Sequence, residues 1–149
     1  MQNINFKIAT PERVVFKDDV DSITLPTMQG EITILANHIP LIGVLMPGEI
    51  IVKKGDELIS MSVSGGFIEV LSTKVVVLAD TAERCEEIDV QRAEEAIKRA
   101  EELKTKRSTD TREFAMLKIK LEKELARVRV GRKHLERVDR RGIVKKYKK

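Results

Sequence analysis

Apolar and polar residues alternate in short runs through the first half of the chain; near Ala82 to Asp89 the period changes to three or four residues. Alternation places successive side chains on opposite faces of a strand, whereas apolar residues at i, i+3 and i+4 share one side of a helix. The alternating runs Ile4–Ala9, Val20–Leu25, Glu31–Leu35, Glu49–Lys53, Leu58–Val63, Gly66–Leu71 and Lys74–Ala79 are rich in β-branched residues and predict strands. Breaks fall at Pro11, Pro26, Gly30, Pro40, Pro47, Gly48, the Gly55-Asp56 hairpin signal and Gly65-Gly66. Many short strands at this spacing imply an antiparallel sandwich or flattened barrel. Nothing resembles a βαβ unit, which argues against a doubly wound nucleotide fold.

Beyond Glu87 the pattern is helical. Asp89 is a good N-cap for residues 90–106, where Ala93, Ala96, Ile97, Ala100 and Leu103 recur on one stripe. With three alanines in that stripe, a partner helix can approach closely while little area is buried per turn. Ser108-Thr109-Asp110 interrupts the pattern, and Asp110 with Glu113 can cap a second helix. There Phe114, Leu117, Leu121, Leu125 and Val128 lie at steps of three or four, predicting one face that packs on the alanines and leaves Lys118, Lys123, Arg127 and Arg129 largely elsewhere. Gly131 weakens this helix by about 1 kcal/mol relative to alanine without ending it. Running from Thr111 to Arg141, it would be roughly 46 Å long at about 1.5 Å per residue. The expected fold is α+β: an N-terminal antiparallel β-sandwich over residues 1–86, then a C-terminal two-helix antiparallel hairpin with a basic extension over 87–149.

Composition narrows the chemistry. The chain has 149 residues, 42% of them apolar, but no Trp, one Tyr and four Phe, so its core must come from Ile, Val, Leu and Met. No apolar run approaches the roughly 20 residues of a membrane span, and the N-terminus has neither a basic leader region nor a cleavable apolar stretch; a cytosolic chain is expected. Cys85 has no second thiol with which to form a disulfide or share a metal, which assigns it a structural or neutral role. Residues 1–117 carry 14 Lys+Arg against 20 Asp+Glu, whereas residues 118–149 carry 14 against 4. An acidic body thus bears a cationic arm, suited to an acidic surface on nucleic acid, lipid or protein. His38, in a turn before Ile39-Pro40, has no second ligand at metal spacing and reads as a loop-orienting residue. The glycines at 30, 43, 48, 55, 65 and 66 form neither a dinucleotide fingerprint nor a phosphate loop and read as turn residues. No nucleophile–base pair appears at usable spacing, which counts against an independent enzyme.

An ordered set of segments carries a resemblance. Pro11-Glu12 follows the first strand, then comes Gly30-Glu31-Ile32-Thr33-Ile34-Leu35-Ala36-Asn37-His38-Ile39-Pro40-Leu41. Pro47-Gly48, Ser64-Gly65-Gly66-Phe67-Ile68-Glu69-Val70 and Val77-Leu78-Ala79-Asp80-Thr81-Ala82-Glu83-Arg84 follow in the same order. Taken together these resemble the N-terminal domain of the epsilon subunit of bacterial rotary F-type ATP synthases. Where that family usually has Gly before the His, this chain has Asn37, the residue next most tolerant of the left-handed conformation.

The resemblance implies a ten-stranded sandwich beside a helical hairpin, at the foot of the central stalk between the gamma subunit and the c-ring. It implies a non-catalytic subunit, peripheral on the cytoplasmic face of the bacterial inner membrane, with Glu31 and His38 in the region facing the ring. Ile88-Asp89-Val90-Gln91-Arg92-Ala93-Glu94-Glu95-Ala96 also resembles the Ile/Leu-Asp-x-x-Arg-Ala-x-x-Ala motif of epsilon subunits that bind ATP. By that likeness Glu83, Asp89, Arg92, Arg99, Lys123 and Arg127 stand where a regulatory ATP is held; no cofactor is required and no Mg²⁺ is assigned. One family arginine is lysine here, a point charge in place of a planar bidentate grip. For Asp89, Arg92 and Arg99 the residues alone also allow a plain N-cap and surface pairs with Glu95 or Glu102. In the family the basic second helix meets acidic segments of the beta subunits in the alpha/beta head and blocks hydrolysis; the matching positions are Lys118, Lys120, Lys123, Arg127, Arg129, Arg132 and Lys133. The tail from Gly131 onward either continues that helix or forms a disordered cationic end. The alternative is a nucleic-acid-binding protein using the basic arm, but that arm offers just Tyr147 and Phe114 for stacking on bases.

Overall fold

The structure, a computed structural model, describes residues 2–106 and 111–140. Ten strands and two helices follow one another along the chain: β1 Ile4–Ala9, β2 Val14–Val20, β3 Ser22–Thr27, β4 Gly30–Leu35, β5 Leu41–Leu45, β6 Gly48–Lys54, β7 Glu57–Val63, β8 Gly66–Val70, β9 Lys74–Ala79, β10 Ala82–Arg84, α1 Val90–Lys106 and α2 Thr111–Arg140. A short 3₁₀ turn, Cys85–Glu87, precedes α1. The chain divides into two compact units, Met1–Arg84 and Cys85–Lys149.

In the first unit the strands form one ladder in the order β10-β7-β6-β3-β5-β8-β9-β1-β2, with β4 paired to β3. Alternate residues point inward from nearly every strand, so Phe6, Ile8, Ile23, Leu25, Ile50, Val52, Met61, Ile68, Val75 and Val77 make one apolar core. The Phe6 and Phe16 rings add a tilted contact with centroids 5.8 Å apart. Lys54 at the end of β6 reaches Asp18 on β2, Nζ to Oδ2 at 2.5 Å. Hydrogen bonding to Lys54 holds the Asp18 carboxyl below its usual range and raises the Lys54 ammonium. The Asp18 contribution is therefore lost as pH falls through its lowered pKa, and both groups are too exposed for a large effect.

Three strands escape the alternation pattern: β2, β5 and β10. In β2 the adjacent Asp18 and Asp19 obscure Phe16 and Val20, which are the inward residues. In β5 both sides are apolar and Gly43 sits in the middle, opposite Ile68, where a Cβ would come to 3.2 Å from Ile68 Cγ2. Strand β3 also runs past Pro26 to Thr27, because Pro26 lies where β3 changes neighbour from β6 to β5, a place that tolerates a missing N–H. One pair departs from the antiparallel expectation, since β1 runs parallel to β9. Gly30, Gly43, Gly48 and Gly66 stand in strands, not turns. Gly66 has φ 145°, and a Cβ there would lie 2.1 Å from the Leu78 carbonyl oxygen, so β8 can approach β9 only without a side chain.

In the second unit α1 begins as expected: the Arg92 N–H donates to Asp89 Oδ1 at 3.0 Å. Its stripe packs on α2, with Ala93 and Ala100 buried, Ala96 and Ile97 half-buried, and Leu103 exposed. The buried face of α2 is a correction to the expected one. Leu117, Leu121, Glu124, Val128 and Gly131 follow one another around a single side, whereas Phe114 and Leu125 are 40% and 43% exposed. The expected and observed sets have the same helical spacing, but the face turned to α1 is rotated by a fraction of a turn, which leaves Phe114 and Leu125 at its margin and puts Glu124 in the seam. Ala126 and Val130 are buried about half a turn away, so one stripe does not describe this helix. The proposed cap Asp110 and the tail from residue 141 lie outside the described residues.

At Gly131 α2 lies close against the segment entering α1. A Cβ at this position would lie 2.6 Å from Val90 Cγ2 and 3.1 Å from Ile88 Cγ2. In an exposed helix Gly→Ala gains about 1 kcal/mol. Here alanine must displace two stiff, branched side chains at a cost of about 1–3 kcal/mol. Gly131→Ala should therefore lower the thermal midpoint of the helical unit, the opposite of the sign propensity alone predicts, and melting followed by helical circular dichroism checks this.

Candidate functional site

Three surfaces hold the residues that the sequence singles out. The first surrounds the start of α1. Asp89, Arg92 and Arg99, with Gln91 and Glu95, line an open depression of about 290 Å³. They converge because residues 92, 95 and 99 repeat at the helical step and Asp89 caps the same turn. Asp89 spends one oxygen on the cap, and the Arg99 guanidinium lies 3.7 Å from Glu95 across one turn, both side chains exposed. What remains is a small polar recess with two cations, able to take an anionic group in water. Glu83 belongs to β10 of the first unit, while Lys123 and Arg127 stand on α2 and do not line this recess.

The second surface is the cationic side of α2. Lys118, Lys120, Arg129, Arg132 and Lys133 are exposed and Lys123 is half-buried. Arg132 pairs with Glu94 and so ties the two helices across their seam. Arg127 corrects the expectation that it lies on an outer face: its side chain is largely buried and donates to Glu124 at 2.9 Å. Glu124 is 7% exposed, and Arg127 is the partner that compensates its charge.

The third surface lies on the sandwich. Glu31 is exposed on β4 opposite Pro26. Asn37 takes φ 62°, the left-handed turn expected of it, and presents His38, whose Nδ1 lies 2.6 Å from the Ile39 carbonyl oxygen. The sandwich also carries an apolar surface that pattern reading missed. Val44 pairs with Phe67 and Phe67 with Leu78, so three outward side chains stand in a row across β5, β8 and β9. Phe67 is 61% exposed and Leu78 59%; Ile42, at 79%, extends the patch. The available signal was confined to β5, which has no polar residue on either face, whereas Glu69 in β8 and Lys74 in β9 mask the patch. An apolar patch of this kind marks a surface that another protein covers.

An apolar sandwich face joined to a basic helical unit defines an interaction subunit of a larger assembly. The family model described as the beta-sandwich domain of the ATP synthase Delta/Epsilon chain matches residues 3–85, and the one described as its long alpha-helix domain matches residues 86–131. The ATP synthase epsilon chain of Chloroflexus aggregans is 45% identical over 132 residues, covering 88% of this chain and 94% of its own length. That of Dehalococcoides mccartyi is 52% identical over 101 residues, covering 68% of this chain and 72% of its own. A chain in the Euglena gracilis mitochondrial ATP synthase structure superposes with a TM-score of 0.73 at 26% identity, over 85% of this chain and 79% of that one. The chain belongs to the delta/epsilon family of ATP synthase, among the epsilon chains, which are non-catalytic subunits. Among the described residues, no helix is long and apolar enough to cross a membrane.

Because Glu124 is buried and Arg127 balances it, Arg127→Ala should cost about 2 kcal/mol of stability in the helical unit. Replacing the pair together, as Glu124→Leu with Arg127→Met, should recover most of that loss, which chemical denaturation of the two variants measures.

Proposed function

We propose that this chain is the central-stalk subunit that couples the alpha/beta catalytic head to the c-ring of an F-type ATP synthase, and that its basic helical hairpin moves to inhibit ATP hydrolysis. The sandwich face carrying Val44, Phe67 and Leu78 is the observation that carries the stalk assignment, since a row of exposed apolar side chains requires a partner. Likeness to a chain in a structure described as containing F1 and the c-ring supports that reading. The gamma subunit covers this face, and Glu31 and His38 look toward the ring. The complex holds the chain at the cytoplasmic face of the bacterial inner membrane.

The brake is read from the hairpin seam. Alanines and a glycine bury little apolar area, so the folded hairpin is held by a modest energy, and exposed cations on α2 can recover a comparable amount on an acidic partner. Lys118, Lys120, Lys123, Arg129 and Lys133 face the beta subunits in the inhibiting position, while Arg127 and Arg132 must first leave Glu124 and Glu94. ATP seated by Arg92 and Arg99 would favour the folded hairpin by about 2.7 kcal/mol at a hundredfold excess over Kd. High ATP then relieves inhibition.

Two experiments test this. Hydrolysis by the matching alpha, beta and gamma subunits should be inhibited by the full chain at low ATP, recover as ATP rises, and be insensitive to a version ending at Glu87. Arg92→Ala with Arg99→Ala should keep the inhibition and lose its relief; equal rates with the full and shortened chains would sink the brake. Separately, Phe67→Asp should weaken assembly with gamma at least about tenfold in a pull-down titration while leaving the melting temperature nearly unchanged, because Phe67 is exposed in the isolated chain.

A further inference from the structure

The sole cysteine does not stand apart from other metal-binding groups. Cys85 opens the 3₁₀ turn before α1 and is 4% exposed, and its Sγ lies 3.2 Å from Nδ1 of His134 on α2. Glu86, exposed beside it, brings its carboxylate close enough that donor atoms of all three residues fall within 4.8 Å of one another. We propose that Cys85, Glu86 and His134 form a binding site for a divalent cation of the zinc class.

Donor chemistry selects the ion. Thiolate and imidazole are soft to borderline ligands, which suit Zn²⁺ and disfavour Mg²⁺ or Ca²⁺. Zinc–sulfur and zinc–nitrogen bonds of about 2.3 and 2.0 Å at a tetrahedral angle separate the two donors by roughly 3.5 Å. The 3.2 Å between Cys85 Sγ and His134 Nδ1 therefore needs only a small opening to admit the ion. Three side chains leave the fourth position to water, on the side where Glu86 meets solvent.

Packing brings the donors together. His134 lies one turn beyond Gly131, the residue whose missing side chain lets α2 approach Ile88 and Val90. These two follow Cys85 by three and five residues, so the approach that accommodates Gly131 also sets His134 beside the thiol. A bound ion would pin the 3₁₀ turn to α2 and disfavour departure of that helix. The regulatory consequence rests on the hairpin moving as described above; the site itself does not.

Titration of the isolated full chain, carrying no histidine tag, with Co²⁺ tests the site by absorption. Expected are a thiolate-to-cobalt charge-transfer band in the near ultraviolet, its displacement by Zn²⁺, and a Zn²⁺-dependent rise in melting temperature. Cys85→Ser should abolish the band, and His134→Gln should weaken Zn²⁺ binding by more than the roughly 10–100-fold that loss of an outer-shell partner costs. Glu86→Gln should keep the band at lower affinity, with unchanged circular dichroism confirming that each variant folds. Absence of the band at excess Co²⁺, or a Zn²⁺ affinity that neither Cys85→Ser nor His134→Gln alters, would mean a thiol–imidazole hydrogen bond only and would overturn the proposal. This readout comes from the chain alone, so failure of the site and failure of the brake are distinguishable.

Discussion

The helical unit depends on a close approach that side chains of ordinary size would prevent. Ala93 and Ala100 bring α1 near α2, and Gly131 lets α2 settle against Ile88 and Val90. Small residues make such a seam tight in distance but poor in buried area. Its specificity therefore comes from shape and from ion pairs that include Arg132 with Glu94 between the helices and Arg127 with Glu124 within the second. Opening a seam of that kind would break few apolar contacts.

The sandwich is built on the opposite logic. Its inward residues are branched and aromatic, and they fill one core from nearly every strand. The same strands also carry apolar residues outward at Ile42, Val44, Phe67 and Leu78, where a monomeric protein would place polar ones. On the function proposed above, a body with one exposed apolar face holds position in the assembly, and a helical unit with surplus positive charge responds to its state.

Much of this was legible in the chain itself. Seven of the ten strands follow from alternation, and α1 follows from Asp89 and the alanine repeat. The left-handed turn at Asn37 follows from the conformational tolerance of that residue, and its φ of 62° agrees. The strands that escaped are informative about why. Strand β2 hides its period behind two aspartates, β5 is apolar on both faces, and β10 is three residues long. Periodicity reports a strand only when one face meets water and the other meets the core.

For the candidate sites the division is sharper. Local spacing along one helix suffices to gather Asp89, Arg92 and Arg99, because neighbours at the helical step share a side wherever the helix sits. Whether a cation is exposed is a different kind of fact. Arg127 looks like its neighbours in sequence, yet a buried carboxylate one turn away claims it, and that follows from which side of α2 faces α1. Likewise Cys85 and His134 stand 49 residues apart and meet through the space left at Gly131. The sequence by itself determined the two modules, their order, the charge asymmetry and the capped start of α1, all of which are local properties. Tertiary structure alone decided the rotational setting of α2, the partner of each buried charge and the meeting of thiol with imidazole, because those depend on how closely distant backbones can approach.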